Sequence, residues 1–310
     1  MPTRRRFLAS GAALAALGAA LGRRAPRAQA ATDPAGAPRP GDEPWFRISL
    51  AEWSLHRALF AGEMTHLDFP RRAREEFGLA GCEYVSTFFK DKATDFAYLR
   101  ELSARAADAG VQSVLIMIDG EGELGDADDG ARRRAVDNHH KWIAAAAFLG
   151  CHSIRVNAGG SGAREDLAAR CADSLRRLGE HGAGYGVNVI VENHGGPSSD
   201  GAWLAAVLRA ASHPRVGALP DFGNFSVAPG QDYDRYRGVE ELLPFARAVS
   251  AKSYDFDAAG NETTIDFARM LGLVKSAGYR GWIGVEYEGE RLPEPDGIRA
   301  TQALLERLRG

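Results

Sequence analysis

Cysteine is scarce in this 310-residue chain. Cys82, Cys151 and Cys171 are the only three, an odd number at irregular spacing. That excludes a disulfide framework, and no Cys-x-x-Cys pair suggests a thiolate zinc site. Each reads as a small apolar side chain packed in the fold. Long apolar runs are lacking too. The stretch from Phe7 to Leu21 falls short of the roughly 20 residues that span a bilayer, and it is rich in Ala and Gly. No Gly-x-Gly-x-x-Gly follows a strand pattern, which argues against a dinucleotide-binding sheet. There is no basic excess: the formal net charge is −3, so the electrostatic footprint of a nucleic-acid binder is missing. With 36 Gly and 14 Pro the chain is neither fibrous nor of low complexity. What is present is a 45% hydrophobic fraction, enough for a sizeable packed core.

The N-terminus carries its own signal. Arg4-Arg5-Arg6 precedes the apolar run, and Ala28-Gln29-Ala30 has the small-x-small form of a cleavage site. The segment Thr3-Arg4-Arg5-Arg6-Phe7-Leu8 resembles a twin-arginine export signal. Residues 1–30 are therefore expected to be a cleaved signal peptide and the protein to be exported to the periplasm, with no membrane span left after cleavage. Residues 31–44, rich in Pro and Gly, read as a flexible linker. The six arginines of the first thirty residues mask the charge of the rest: without them 32 basic residues face 41 acidic ones, a net of −9. Nucleic-acid and anionic-membrane partners become less plausible still.

Beyond the linker, short apolar runs alternate with amphipathic stretches. Strands are expected at Phe46–Leu50, Gly81–Val85, Gln112–Ile118, Ser153–Asn157, Asn188–Glu192, Val216–Pro220, Ala248–Ser253 and Trp282–Tyr287. Helical spacing marks Asp95–Ala109, Arg132–Leu149, Arg164–Tyr185 and Ile265–Ala277, and Gly110, Gly150, Gly186 and Gly278 follow as helix stops. Eight strand–helix units over residues 45–310 predict an α/β fold, a single (β/α)8 TIM barrel.

In such a barrel the chemistry sits where the strands end. Each expected strand delivers a charged residue to that rim. Glu192, Asp221 and Glu286 are the sharpest set, because three carboxylates in one pocket repel unless a cation or shared protons relieve them. Oxygen-rich ligation suits a divalent ion. Glu83, Asp119, Asn157 and His194 could bind sugar or polyol hydroxyls, and Trp53 could stack on a sugar ring. Phe222 reads as core, and Arg155 as paired with a rim acid. The stretch Ala228–Leu243 reads as a lid or an interface, and self-association is left open.

Three segments carry a resemblance: Val191-Glu192-Asn193-His194-Gly195-Gly196, Leu219-Pro220-Asp221-Phe222-Gly223-Asn224 and Ile283-Gly284-Val285-Glu286-Tyr287. The chain resembles the sugar phosphate isomerase/epimerase superfamily of xylose-isomerase-like barrels over roughly residues 46–309. The resemblance implies one divalent metal (Mn, Mg, Co or Zn) on Glu192, Asp221, Glu286 and a strand-seven histidine. Here the chain departs, for Lys252 stands at the histidine's place, and a protonated lysine has no lone pair to offer a metal. Its ammonium could neutralise the acids or bind a substrate oxygen, and His194 is a substitute ligand or a substrate contact.

The chemistry implied is isomerisation or epimerisation of a free or oxidised sugar through an enediolate, with Glu192 and Glu286 as the proton-transfer pair and Lys252 as a third catalytic group. A lyase or dehydratase using the same enolate, and a catalytically silent sugar-binding barrel, are the alternatives. Endonuclease-like hydrolysis suits neither eight histidines, few of them at strand ends, nor a net charge of −9.

Overall fold

The computed structural model describes residues 44–310. The expected signal peptide and all but the last residue of the expected linker lie outside the described residues. Ten strands occur among these: β1 Arg47–Ala51, β2 Gly81–Val85, β3 Gln112–Met117, β4 Ser153–Val156, β5 Asn188–Glu192, β6 Val216–Leu219, β7 Ser226–Ala228, β8 Gln231–Asp232, β9 Val249–Ser253 and β10 Trp282–Tyr287. Eight form one parallel sheet in the order β6-β5-β4-β3-β2-β1-β10-β9. The two ends meet through the bridges Ala218–Ala246 and Asp221–Ser250, where Ser250 N donates to Pro220 O at 2.9 Å and Phe222 N to Ser250 O at 3.1 Å. The sheet thus closes into the expected barrel, and β7 and β8 form a separate antiparallel hairpin after β6.

Among the described residues nine α-helices surround it: α1 His56–Phe60, α2 Phe69–Phe77, α3 Phe96–Asp108, α4 Asp129–Leu149, α5 Arg164–Tyr185, α6 Gly201–Ala211, α7 Arg235–Leu242, α8 Phe267–Ser276 and α9 Glu294–Arg309. Aspartates set several of their starts. Asp95, Asp128, Asp200 and Asp266 accept from Tyr98 N, Ala131 N, Trp203 N and Arg269 N, at 3.1, 2.6, 3.0 and 3.0 Å. A cap of this kind is worth about 1 kcal/mol. It explains why α4 begins at Asp129 and not at Arg132, where the apolar spacing starts. At the other ends Gly150 and Gly186 take φ values of +77° and +73°, which a side chain would resist.

The stretch expected to be a lid or an interface contains β8 and α7. Gly238, Val239 and Leu242 of α7 are buried, and a Cβ on Gly238 would meet the Phe225 ring at 2.2 Å, so this helix packs into the barrel wall.

Strand alternation sorts the side chains by chemistry. Ile48, Leu50, Val189, Val191, Val249, Ala251, Ile283 and Val285 join the large apolar cluster under the helices. The alternate positions on the same strands are Ser49, Ile190, Glu192, Ser250, Lys252, Gly284 and Glu286, all inside the barrel. A smaller apolar cluster, including Val85, Leu115, Met117, Ile190 and Leu219, fills part of that interior. The barrel is therefore apolar outward and largely polar inward, which places its costly groups together. Phe222 is fully buried with its ring centroid 5.6 Å from that of Phe267, as expected of a core residue. Cys82, Cys151 and Cys171 are free and buried.

Candidate active site

Four consecutive barrel strands each bring one ionisable group to the same place. Glu192 ends β5, Asp221 follows β6, Lys252 lies on β9 and Glu286 on β10. One carboxylate oxygen from each acid lies within 4.8 Å of the other two. All four residues are at most 4% exposed. Two like charges at this separation repel by roughly 3–4 kcal/mol at an effective protein dielectric of about 20, so the cluster needs compensation.

Fixed cations supply part of it. Lys252 Nζ lies 3.2 Å from Glu286 Oε1 and 3.3 Å from Glu288 Oε2. Arg155, from β4, puts Nε 2.9 Å from Glu192 Oε2 and Nη1 2.8 Å from Asp119 Oδ1. Neutral donors complete the frame. Ser250 Oγ donates to Glu286 Oε2 at 2.8 Å, and Asn224 Nδ2 to Glu192 Oε1 at 3.1 Å. Asp221 Oδ1 accepts the Gly223 and Asn224 amides at 2.8 and 2.7 Å, while Asp221 N donates to Asn193 Oδ1 at 2.8 Å. Asp221 Oδ2 is buried with no hydrogen bond, and Glu192 Oε2 has only the poorly aligned Arg155 contact.

The environments push the acids apart. Burial raises Glu192 to about 7 despite Arg155, and raises Asp221 to about 7 despite Lys252. Burial also opposes ionisation of Glu286, but Lys252 and the Ser250 hydroxyl outweigh it and hold its carboxyl below the ordinary value. Lys252 is itself disfavoured by burial, yet Glu286, Asp221 and Glu192 keep it firmly protonated.

A cavity of about 250 Å³ opens on this cluster, lined by Trp53, Val85, Thr87, Asp119, Arg155, His194, Glu286 and Glu288. A larger hollow of about 410 Å³ lies on the outer helical layer near α8, but Glu262 there is engaged in loop hydrogen bonds to Thr264 N and Tyr254 N. The chemistry-bearing groups converge only on the smaller one among the described cavities.

The residues singled out from the sequence fall in three groups. Glu192, Asp221, Lys252 and Glu286 form one buried cluster, and of these Glu286 lines the cavity. Trp53, Asp119 and His194 line the cavity, Trp53 stacking on His56 at 5.0 Å. His194 is solvent-exposed at the mouth and stands outside the carboxylate cluster. Glu83 and Asn157 do not line the cavity. Asn157 Nδ2 is turned to Asp119 Oδ1 at 2.8 Å. Glu83 lies inside the barrel with no exposure, accepting from Ser49 Oγ at 2.5 Å, and burial raises it to about 8. It fits there because Gly284 has no side chain: a Cβ would stand 2.5 Å from Glu83 Oε2. Arg155 is paired as expected, but it is 4% exposed and bridges two acids. Glu288, Asn224 and Ser250 were not singled out from the sequence. Glu288 alone had a visible signal, its place two residues beyond Glu286 on the same side of an extended strand.

The acidic cluster could hold a metal ion. Its donors are all oxygen, three carboxylates converge, and Asp221 Oδ2 is a buried acceptor without a partner. Those properties fit a hard divalent ion. Lys252 supplies no fourth ligand.

No described helix is long and apolar enough to cross a membrane. No curated protein matches this sequence. Solved structures share the fold at low identity. The 3-keto-D-glucoside 4-epimerase from E. coli superposes with a TM-score of 0.66 at 16% identity, covering 84% of this chain and 99% of that one. An L-ribulose 3-epimerase gives 0.66 at 16% identity, covering 85% and 94%. A xylose isomerase-like TIM barrel protein from Mycobacterium smegmatis in complex with magnesium gives 0.63 at 16% identity, covering 85% and 96%. The sequence model of one family matches residues 72–308, and the chain accordingly belongs to the xylose isomerase-like TIM barrel family.

Proposed function

We propose that this protein is a sugar isomerase or epimerase that moves a proton on a carbon next to a carbonyl, acting on a free or oxidised sugar. The observation that carries the reading is the pairing of Glu192 and Glu286 in one buried cluster with their pKa values displaced in opposite directions. Two carboxyls so displaced suit one group that accepts a proton and another that gives one. Glu286, held ionised by Lys252 and Ser250, is the base. Glu192, pushed up to about 7, is the group able to carry a proton near neutrality. Asp119 and His194 at the cavity wall offer an acceptor and a titratable partner for hydroxyls, and Trp53 offers an aromatic face. Arg155 holds Asp119 and Glu192 together, so the hydroxyl-binding wall and the proton carrier keep a fixed spacing.

A divalent ion (Mn, Mg, Co or Zn) would be held by Glu192, Asp221 and Glu286, and when bound it supplies Lewis-acid polarisation of the carbonyl oxygen. Solved structures of the same fold include sugar epimerases, which supports this reading at the level of chemistry but not of substrate. The N-terminal thirty residues support a periplasmic location, where phosphorylated sugars are scarce. Proton NMR in D2O tests the proposal: incubation with a panel of ketoses and 3-keto sugars should replace one carbon-bound hydrogen by deuterium in at least one of them. No exchange across the panel, with and without added Mn²⁺, refutes it.

A further inference from the structure

The feature that the functional reading leaves unexplained is a lysine in the middle of an acidic cluster able to hold a cation. Lys252 is 1% exposed and does not line the cavity. Its ammonium reaches Glu286 Oε1 at 3.2 Å, Glu288 Oε2 at 3.3 Å and Asn224 Oδ1 at 3.5 Å. The stem is held as well as the tip. A Cβ placed on Gly223 would lie 3.0 Å from both Lys252 Cγ and Cδ, so backbone packs closely against the chain that carries the charge. This is a fixed cation, since neither rotamer freedom nor solvent can take it elsewhere.

Its position has two consequences. Pairing with Lys252 occupies Glu286 Oε1, one of the two oxygens this carboxylate could offer a divalent ion, and a neighbouring positive charge opposes the arrival of another. Glu286 is also oriented without an ion, because Lys252 on one oxygen and Ser250 on the other fix both ends of its carboxylate. Glu192 has no such arrangement: Asn224 holds one oxygen, and the other faces Arg155 at poor alignment.

We propose that Lys252 is an internal cation built in place of a metal ligand, which makes the carboxylate cluster a weak, readily exchanged ion site and keeps Glu286 positioned when no ion is bound. The inference rests on the reading of Glu286 as the proton-transferring base. Lys252 does not line the cavity and meets Glu286, which does, so it is a positioning residue acting through Glu286. No bond to it is made or broken in the reaction, and the protons exchanged pass between carbon and the carboxyls.

The test compares wild-type, Lys252→His, Lys252→Met and Lys252→Arg proteins, each stripped by chelation and titrated with Mn²⁺ in a calorimeter. Lys252→Met, which loses the charge without gaining a ligand, should bind Mn²⁺ more tightly than wild type, and binding no tighter than wild type counts against the proposal. Lys252→His replaces the ammonium by a ring that can shed its proton to the solvent when the ion arrives and then offers it a lone pair, and it should bind Mn²⁺ at least tenfold more tightly than wild type. Lys252→Arg keeps the charge and should bind as weakly as wild type, which separates charge from packing if Lys252→Met fails to fold. In the metal-free state, sugar deuterium exchange by wild type should persist, and Lys252→Arg should retain more of it than Lys252→His, the difference appearing in kcat with KM little changed. Wild type that binds Mn²⁺ as tightly as Lys252→His, or that loses exchange on chelation and regains it with Mn²⁺, overturns the proposal. A protein that exchanges no sugar in either metal state defeats the functional reading instead, and the Mn²⁺ comparison still decides the assignment of Lys252.

Discussion

Lys252 and Glu286 stand directly opposite one another across the parallel pair β9–β10, and their charged ends meet at 3.2 Å. The pairing register alone brings them together: both are inward positions of adjacent strands, near the carboxyl end of each. A barrel turns such neighbours into a site, because its strand ends converge on one mouth. The same geometry adds Glu192 and Asp221 from the next two strands around the circle.

Glu192→Gln keeps size and shape while removing the ionisable oxygen. If Glu192 carries a proton in the reaction, sugar deuterium exchange should fall by about 100- to 10,000-fold, the range typical of a lost general acid or base. Circular dichroism should show an unchanged fold. Exchange within threefold of wild type would remove Glu192 from the mechanism.

The interior of the barrel makes a packing prediction. Gly284→Ala would put a methyl group 2.5 Å from Glu83 Oε2, in a site with no solvent into which the carboxyl could retreat. Overpacking of this kind costs about 1–3 kcal/mol. Gly272→Ala on α8 is the matched control, for nothing lies within 4 Å of its Cβ and the helix interior should gain about 0.5–1 kcal/mol. Urea denaturation midpoints should move in opposite directions.

The difference between these two glycines shows where sequence reasoning stops. Strand runs and stop glycines are local signals, and they placed all eight barrel strands within two residues of their ends. Glu192, Asp221 and Glu286 were legible because each follows an apolar strand. Glu83 was legible as an inward carboxylate but not as a deep one, since a period of two gives the side of a strand and not the depth along the barrel axis. Asn224, Ser250 and Glu288 escaped notice because their importance lies in partners supplied by other strands. Asn224 matters through Glu192, 32 positions away, and Ser250 through Glu286, 36 positions away.

Stability should depend on pH through buried histidines. His139 is 3% exposed, with Nδ1 2.7 Å from Ala135 O, and burial lowers its pKa from 6.5. His152 is lowered by burial as well, and by Arg47. The unfolded chain takes up these protons near pH 6.5 and the folded chain only below it. Between the two values the unfolded state binds more protons, so stability falls as pH drops through 6.5 and below. His139→Gln should make the unfolding midpoint less sensitive to pH below 6.5. An unchanged slope would show that His139 does not contribute.

Arg155 offers the sharpest test of how the site is held. It is buried between Asp119 and Glu192, and its own ionisation is favoured by both acids over the cost of burial. Arg155→Met would leave Glu192 without its nearest cation in a site with almost no solvent. Removing one partner of a buried pair typically costs about 3–5 kcal/mol, much of it the penalty on the charge left behind. That penalty should shrink if the orphan is neutral. Arg155→Met made in a Glu192→Gln background should therefore cost clearly less than in wild type, by about 1–3 kcal/mol of coupling. Equal costs in the two backgrounds would show that Arg155 acts through Asp119 alone, whose carboxylate it meets at 2.8 Å. The cycle thus apportions Arg155 between the wall of the cavity and its floor, which a single substitution cannot do.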